Sequence, residues 1–398
     1  MTKKNVLINI FVFVAFLISG AVNASRGIEH VRVVWHEDPA HEAYVMWTSD
    51  KLRLKSYLYF DTVSRSGDLS KYKNKQRAKV RIIRTTLDWV HKVKLTGLTP
   101  DTNYFFVAKT KDGSSREFHF RTAPANGKSF KLLLGGDSRS DRPMRQNINR
   151  HLSKLHDENS DIIALVHGGD YVANGFSWKQ WKAWFEDHLL TTTPSGRLLP
   201  IIPARGNHEF ASLIFNDVFA RPGGILKHNY FTTKINNFRL ITLNTNQPHG
   251  GFQKLWLKKQ LKKAKKEGRW IVANYHRPAY PGYKKPGRAL KHWVPLFEKY
   301  QIDLAFESDG HVLKRTVPIY KGKRDDLKGI TYVGEGGLGV SLRTPKKAGE
   351  WYLQAPGYAD KKYHVMMLDV GQKNMSFSVQ LMDGTVFDQF DLKPKNRK

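Results

Sequence analysis

The strongest constraint on the fold is a pattern met five times: a short apolar run closed by a small polar cluster that carries an acid, an amide or a histidine. Leu134-Gly135-Gly136-Asp137 ends the first run and His167-Gly168-Gly169-Asp170 the second. Ala204-Arg205-Gly206-Asn207-His208-Glu209 follows the third, Ala273-Asn274-Tyr275-His276-Arg277-Pro278 a fourth, and Asp309-Gly310-His311 a fifth. The apolar runs read as buried strands, and helical stretches at Pro143 to His156, Trp178 to Leu190 and Phe252 to Lys266 alternate with them. Strands alternating with helices predict an α/β core, here two stacked sheets between helices. In such sheets the carboxyl ends of the strands line one crevice, so clusters far apart in sequence can meet there.

The first third has another texture. From His30 to about Arg121, period-two runs such as Val31 to Trp35, Ala43 to Trp47, Ser56 to Phe60 and Tyr104 to Ala108 are separated by turn residues, the signature of an all-β sandwich. Leu95 to Tyr104 resembles the turn before a late strand of fibronectin type III domains. Pro124-Ala125-Asn126-Gly127 marks the change, so the expected division is residues 25–124 for the sandwich and 125–398 for the α/β part. Tyr363 to Leu392 returns to alternation and predicts antiparallel strands.

Lys3 and Lys4 precede an apolar run from Val6 to Ile18, and Val22-Asn23-Ala24 supplies the small residues of a processing site. Residues 1–24 are therefore expected to be a signal peptide, making the mature protein secreted or periplasmic, with no integral membrane segment thereafter. No cysteine occurs, which excludes disulfides, thiolate metal sites and cysteine nucleophiles. Any metal must sit on histidine, carboxylate, amide or water. Net charge is +31, a field that concentrates anionic substrates and polyanions, or else a solvated basic surface. The seven lysines of the Phe252 to Lys266 stretch read as the solvated side of a core helix, with Leu255, Leu257 and Leu261 as its apolar side.

Carboxylate, amide and imidazole together suit divalent or trivalent transition ions. Glycines before each acid let the backbone turn sharply and let an ion approach. Gly-Gly-Asp, Gly-Gly-Asp, Gly-Asn-His-Glu, a strand-end His and Gly-His together resemble the signature of calcineurin-like metallophosphoesterases. The helix and strand from Trp256 to Pro278 and the N-terminal sandwich resemble the purple acid phosphatase branch. The resemblance implies a four-layer α/β/β/α sandwich with one or two transition metal ions (Zn, Fe or Mn). It makes Asp170 the bridging carboxylate, places Asp137 in the first metal site, and completes the second with Asn207, His276 and His311. His208 is implied beside the metals as acid or transition-state stabiliser.

The first site departs from the family. Ala173 stands where purple acid phosphatases have a metal-binding Tyr, Arg139 where other members have a His, and Leu313 where the motif Gly-His-x-His has its second His. Two compensations are open: Arg139 replaces the first metal, neutralising Asp137 and gripping phosphate, or Glu307-Ser308-Asp309, an apparent insertion before Gly310, supplies a carboxylate. Arg277 is a further candidate to clamp substrate, and Tyr171 and Asn174 to line the pocket. Gly334-Glu335-Gly336-Gly337-Leu338-Gly339 reads as a tight turn, since no Lys-Ser/Thr follows it.

The expected function is exported, metal-dependent hydrolysis of a phosphate ester, monoester or diester, with an anionic polymer or nucleotide as possible substrate and no obligate protein partner indicated. The alternative is a catalytically degenerate member that binds anionic polysaccharide or nucleic acid without turnover.

Overall fold

The computed structural model describes residues 27–221, 229–267, 270–395 and 397. The expected signal peptide, residues 1–24, lies outside the described residues, as do Gly268 and Arg269.

The chain opens with β1 (Glu29–Val34), β2 (Glu42–Ser49) and β3 (Trp89–Thr96), paired antiparallel in that order. Facing them is a four-stranded sheet whose members include Tyr57–Asp61, Asn103–Lys109 and Phe118–Arg121. Val33, Val45 and Trp47 meet Leu58, Phe106 and Phe120 between the two.

Five parallel-strand units follow: β4 (Phe130–Gly135), β5 (Ile162–His167), β6 (Ile201–Pro203), then β7 (Phe238–Thr242) and β8 (Trp270–Tyr275). β9 (Leu304–Glu307) and β10 (Thr331–Gly334) complete the parallel part of the second sheet. The helices are α1 (Arg142–Glu158), α2 (Trp178–His188) and α3 (Gly251–Lys266), with shorter ones at Leu213–Val218, Ala289–His292 and Val294–Tyr300. Near-continuous apolar strands such as Ile162 to Val166 belong to a sheet covered on both faces.

Alternation along each strand divides three cores. Leu132 and Leu134 face inward with Val166 onto Leu240, Val272 and Phe306 of the other sheet. Leu133 and Leu165 face outward onto Ile148 and Leu152 of α1. On the far side, Ile241, Ile271 and Ala305 pack on Leu257 and Leu261 of α3 and on Phe297. The result is the four-layer α/β/β/α sandwich, preceded by the all-β region.

The two regions share one sheet. Among the described residues it has ten strands, and β1 lies parallel to β6 with Val34 opposite Ile201. The Trp35 amide extends the pairing to the Ile201 carbonyl at 2.9 Å.

One local feature adds to what the sequence indicated and another corrects it. Asn74–Arg77 and Lys79–Ile82 are strands although their sequences are charge-dense, because they are exposed edges where lysine and arginine face water. Leu255 is exposed while Leu257 and Leu261 are buried: two residues along a helix turn the side chain to the opposite face.

Candidate metal centre

The loops after β4, β5 and β6 in one sheet and after β8, β9 and β10 in the other meet at the carboxyl ends of their strands. Pairing continues past the strands: the Asp137 amide donates to the Gly169 carbonyl at 2.9 Å and Ser138 to the Asp170 carbonyl at 3.0 Å. Arg145 of α1 locks this stretch, donating to the Ser138 carbonyl at 2.7 Å and to Asp187 of α2 at 2.9 Å. Asp137, Asp170, Asp309 and His311 all have left-handed backbone, φ +56°, +59°, +72° and +59°. Such conformations cost on the order of 1–3 kcal/mol each outside glycine, and their concentration here marks a functional surface. The chain crosses itself too closely for side chains at two glycines: a Cβ on Gly169 would strike the backbone of Gly206, and one on Gly206 would strike Asp170.

Asp137, Asp170 and His276 are fully buried, and one ligand atom of each lies within 4.8 Å of the others. His276 donates from Nδ1 to the Gly168 carbonyl at 2.9 Å, which fixes the tautomer and leaves Nε2 facing the cluster. There Nε2 lies 3.2 Å from Asp170 Oδ1, 3.1 Å from Asn207 Oδ1 and 3.6 Å from Asp309 Oδ1. Asp137 Oδ1 and Asp170 Oδ2 are buried without a hydrogen-bond partner. Buried orphan acceptors are expensive, and a cation satisfies both at once. Hard oxygens and imidazole with a fixed tautomer fit a transition ion, so the donor set passes this test.

Electrostatics agree. Burial pushes the Asp137 carboxyl well above its usual range, with neighbouring Asp170 and Asp309 adding to the effect. Burial disfavours a charged His276, but Asp170, Asp309 and Asp137 outweigh it and hold the ring well above the ordinary histidine range, a demand for positive charge that a bound cation would meet in place of the proton. Burial, followed by the charges of Arg343, Arg139 and Lys284, pulls His311 down to about 3, so this ring is neutral as a ligand must be.

His208 donates from Nδ1 to the Ala173 carbonyl at 2.6 Å and turns Nε2 toward Asp170 Oδ2, 3.8 Å away; the ring is partly exposed. Its amide also holds Asp170 Oδ1 at 3.0 Å. Arg139 Nε stands 3.5 Å from Asp170 Oδ2, so it faces Asp170 and not Asp137 as the sequence reading had it. His311 Nε2 lies 3.5 Å from Asp137 Oδ1, against Asp137 instead of completing the Asn207 and His276 group.

Other expectations fall away from the cluster. The exposed Arg277 has its charge felt at His249, together with Arg288 and His292. Tyr171 is buried among Trp181, Trp184 and Phe219, stacked 3.9 Å from the His167 ring. Asn174 is exposed and caps its own turn. Glu307 is buried, bonded to Lys314 and Tyr275. The glycine-rich turn packs Gly336 against Asp137, and Leu338 donates to the Gly136 carbonyl at 3.0 Å, as a tight turn should.

Three contributors were missed in the sequence. Glu209 is buried and accepts from the amides of Asp170, Tyr171 and Gly206 at 2.8 to 2.9 Å, stapling two site loops. Its place in Asn-His-Glu was visible, its role was not. Lys284 bonds Asp309 at 2.5 Å, and Arg343 reaches the Asp309 carbonyl at 3.5 Å. Both lie on loops without periodicity, so no sequence signal marks them.

Residues 144–313 match the family described as calcineurin-like phosphoesterase, and residues 28–122 match the purple acid phosphatase N-terminal domain. Residues 144–313 therefore resemble a calcineurin-like phosphoesterase domain, and the region before them a purple acid phosphatase N-terminal domain. The pairing of these two domains in this order is similar to that of the purple acid phosphatases. Among solved structures, the fold is similar to purple acid phosphatase PPD1 of yellow lupin, with TM-score 0.76, 18% identity and coverage of 94% of this chain and 75% of that one. It is similar also to PhoD, with TM-score 0.68, 11% identity and coverage of 94% and 92%. Among curated proteins, an uncharacterized protein of Mycobacterium tuberculosis is 25% identical over 64% of this chain and 53% of its own length. Purple acid phosphatase 15 of Arabidopsis thaliana is 23% identical over 64% and 55%. The chain thus spans about half the length of the curated relatives it matches. No helix of the described residues is long and apolar enough to cross a membrane.

Proposed function

We propose that the protein is an exported metal-dependent phosphoesterase, with a signal peptide at residues 1–24, an N-terminal all-β domain at 25–124 and a catalytic domain at 125–398. The observation that carries this reading is the convergence of Asp137, Asp170 and His276 with two orphaned carboxylate oxygens between them. Asp137, Asp170, Asn207, His276 and His311 hold the metal, with Zn, Fe or Mn as the fitting ions. A bound ion supplies Lewis acidity toward the phosphoryl oxygen and the attacking water.

The chain's own residues do the rest. His208 is anchored at Nδ1 and presents Nε2 from the partly exposed rim beside Asp170, the geometry of a proton donor to a departing alkoxide. Arg139 and Lys284 stand at the same rim and draw in the anionic substrate, Arg139 gripping phosphate with its fork of donors. The basic net charge adds long-range attraction for a nucleotide or an anionic polymer.

Hydrolysis of p-nitrophenyl phosphate and bis(p-nitrophenyl) phosphate by metal-reconstituted protein separates monoesterase from diesterase action. Absence of turnover on both, over all three metals and a wide pH range, overturns the enzyme reading. Retained polyanion binding in Asp170→Ala would then favour the degenerate member that Ala173 and Arg139 bring into view.

A further inference from the structure

The fifth cluster occupies space differently from its sequence pattern. Aligned on Gly310-His311, the paired histidines of the family motif are reduced to one. In the fold, however, two side chains from this loop enter the cluster, and they are Asp309 and His311. Asp309 Oδ1 lies 3.6 Å from His276 Nε2, the same nitrogen that Asn207 Oδ1 approaches at 3.1 Å, while His311 Nε2 lies 3.5 Å from Asp137 Oδ1. Both are almost fully buried.

The backbone leaves little freedom for another arrangement. The Ser308 amide donates to the His276 carbonyl at 2.9 Å, Asp309 to Asp137 Oδ2 at 2.9 Å, and His311 to the Glu335 carbonyl at 2.8 Å. Gly310 between them is required, because a Cβ there would run into the Glu335 carboxylate. The loop is thus tied to the ends of three other strands, with its two functional side chains two residues apart.

We propose that Asp309 and His311 together replace the paired histidines, displaced by two residues, so that the centre holds two metal ions with an altered donor set. Asp309 joins Asp170, Asn207 and His276 around one ion; His311 joins Asp137 and Asp170 around the other. The inference rests on the metal-dependent reading above and deepens it. The apparent insertion before Gly310 becomes part of the motif, and Arg139 is left free to meet substrate. Exchanging an imidazole for a carboxylate makes the Asn207 site richer in oxygen and moves its preference from Zn toward Mn.

The test counts metal in the full chain, stripped with chelator and reloaded with Mn²⁺ or Zn²⁺, by mass spectrometry of the eluted ions and by calorimetric titration. The wild type should bind two equivalents. Asp309→Ala and His311→Ala should each weaken one equivalent by more than about tenfold, since loss of a ligand exceeds the 10–100-fold effect of its outer partners only in the upward direction. Asp309→His should restore two equivalents with Zn favoured over Mn, which keeps the proposal testable if the alanine variants fold poorly. A wild type with one equivalent, or an Asp309→Ala protein that keeps both with unchanged affinity, overturns the pairing while leaving metal-dependent hydrolysis intact. A wild type that binds no metal overturns both.

Discussion

Two buried clusters of charge flank the end of β9, and they resolve their electrostatics in opposite ways. In the first, Lys314 Nζ donates to Glu307 at 2.5 Å and to the Tyr280 carbonyl at 2.7 Å, and lies 3.1 Å from Glu335. Tyr275 and the Ala279 amide also serve Glu307, at 2.5 and 2.6 Å. In the second, Asp137, Asp170 and Asp309 surround His276, but Asp137 Oδ1 and Asp170 Oδ2 accept no hydrogen bond, and Lys284 and Arg139 remain at the rim. The first cluster contains its own central cation and is closed. The second leaves an oxygen on each of two buried carboxylates without a hydrogen bond even with His276 among them, an excess of acceptors that suits a ligand site more than a structural ion network.

The largest effect expected from this contrast is at Asp170, which faces His276, His208 and Arg139. Asp170→Ala should lower kcat/KM by about four orders of magnitude, several kcal/mol of transition-state stabilisation, together with loss of bound metal. Assay with p-nitrophenyl phosphate alongside metal analysis checks it; a variant that keeps its metal and most of its activity would remove Asp170 from the centre.

Lys314→Met addresses the closed cluster. It leaves two buried carboxylates facing each other and should destabilise the fold by about 3–5 kcal/mol in urea denaturation, with metal stoichiometry in the folded fraction unchanged. Equal loss of metal would show that the two clusters are not independent.

What was legible in advance follows the same division. The strands and helices were visible because apolar residues recur with fixed period, and the ends of strands announced Asp137, Asp170, Asn207 and His276. The shared sheet was not visible, because its joint is one register contact between Val34 and Ile201, both apolar residues in ordinary strands. Nor were the partners of Asp309 and His311, since a loop with several left-handed residues has no periodicity from which side-chain direction can be read. Glu307 and Asp309 stood as equals in sequence, yet burial against Lys314 takes one of them out of the site.

A smaller effect is expected at His208, which stands beside the open cluster without entering it. His208→Ala should lower kcat about a hundredfold with metal content unchanged. The loss should be smaller for substrates with good leaving groups, whose departing oxygen needs no proton. Comparison of p-nitrophenyl phosphate with an alkyl phosphate tests this. Equal losses on the two substrates would argue that the imidazole acts on the bound phosphate instead of on the leaving oxygen.

The smallest effect concerns Glu335, the member of the closed cluster with one oxygen unpartnered. Burial pushes its carboxyl up to about 7, against the stabilising charge of Lys314. A raised carboxyl means that the folded state binds more protons than the unfolded state between the ordinary glutamate range and pH 7. Stability contributed by this group is therefore present at low pH and declines as pH rises through that window, by on the order of 1–3 kcal/mol. Glu335→Gln carries no titrating proton and should flatten that part of the stability profile, measured by urea denaturation at pH 5, 6, 7 and 8. Because Lys314 retains Glu307 as a partner, the closed cluster should survive the exchange. An unchanged slope would mean that Glu335 is ionised throughout, making the closed cluster anionic and removing the contrast in charge with the metal centre.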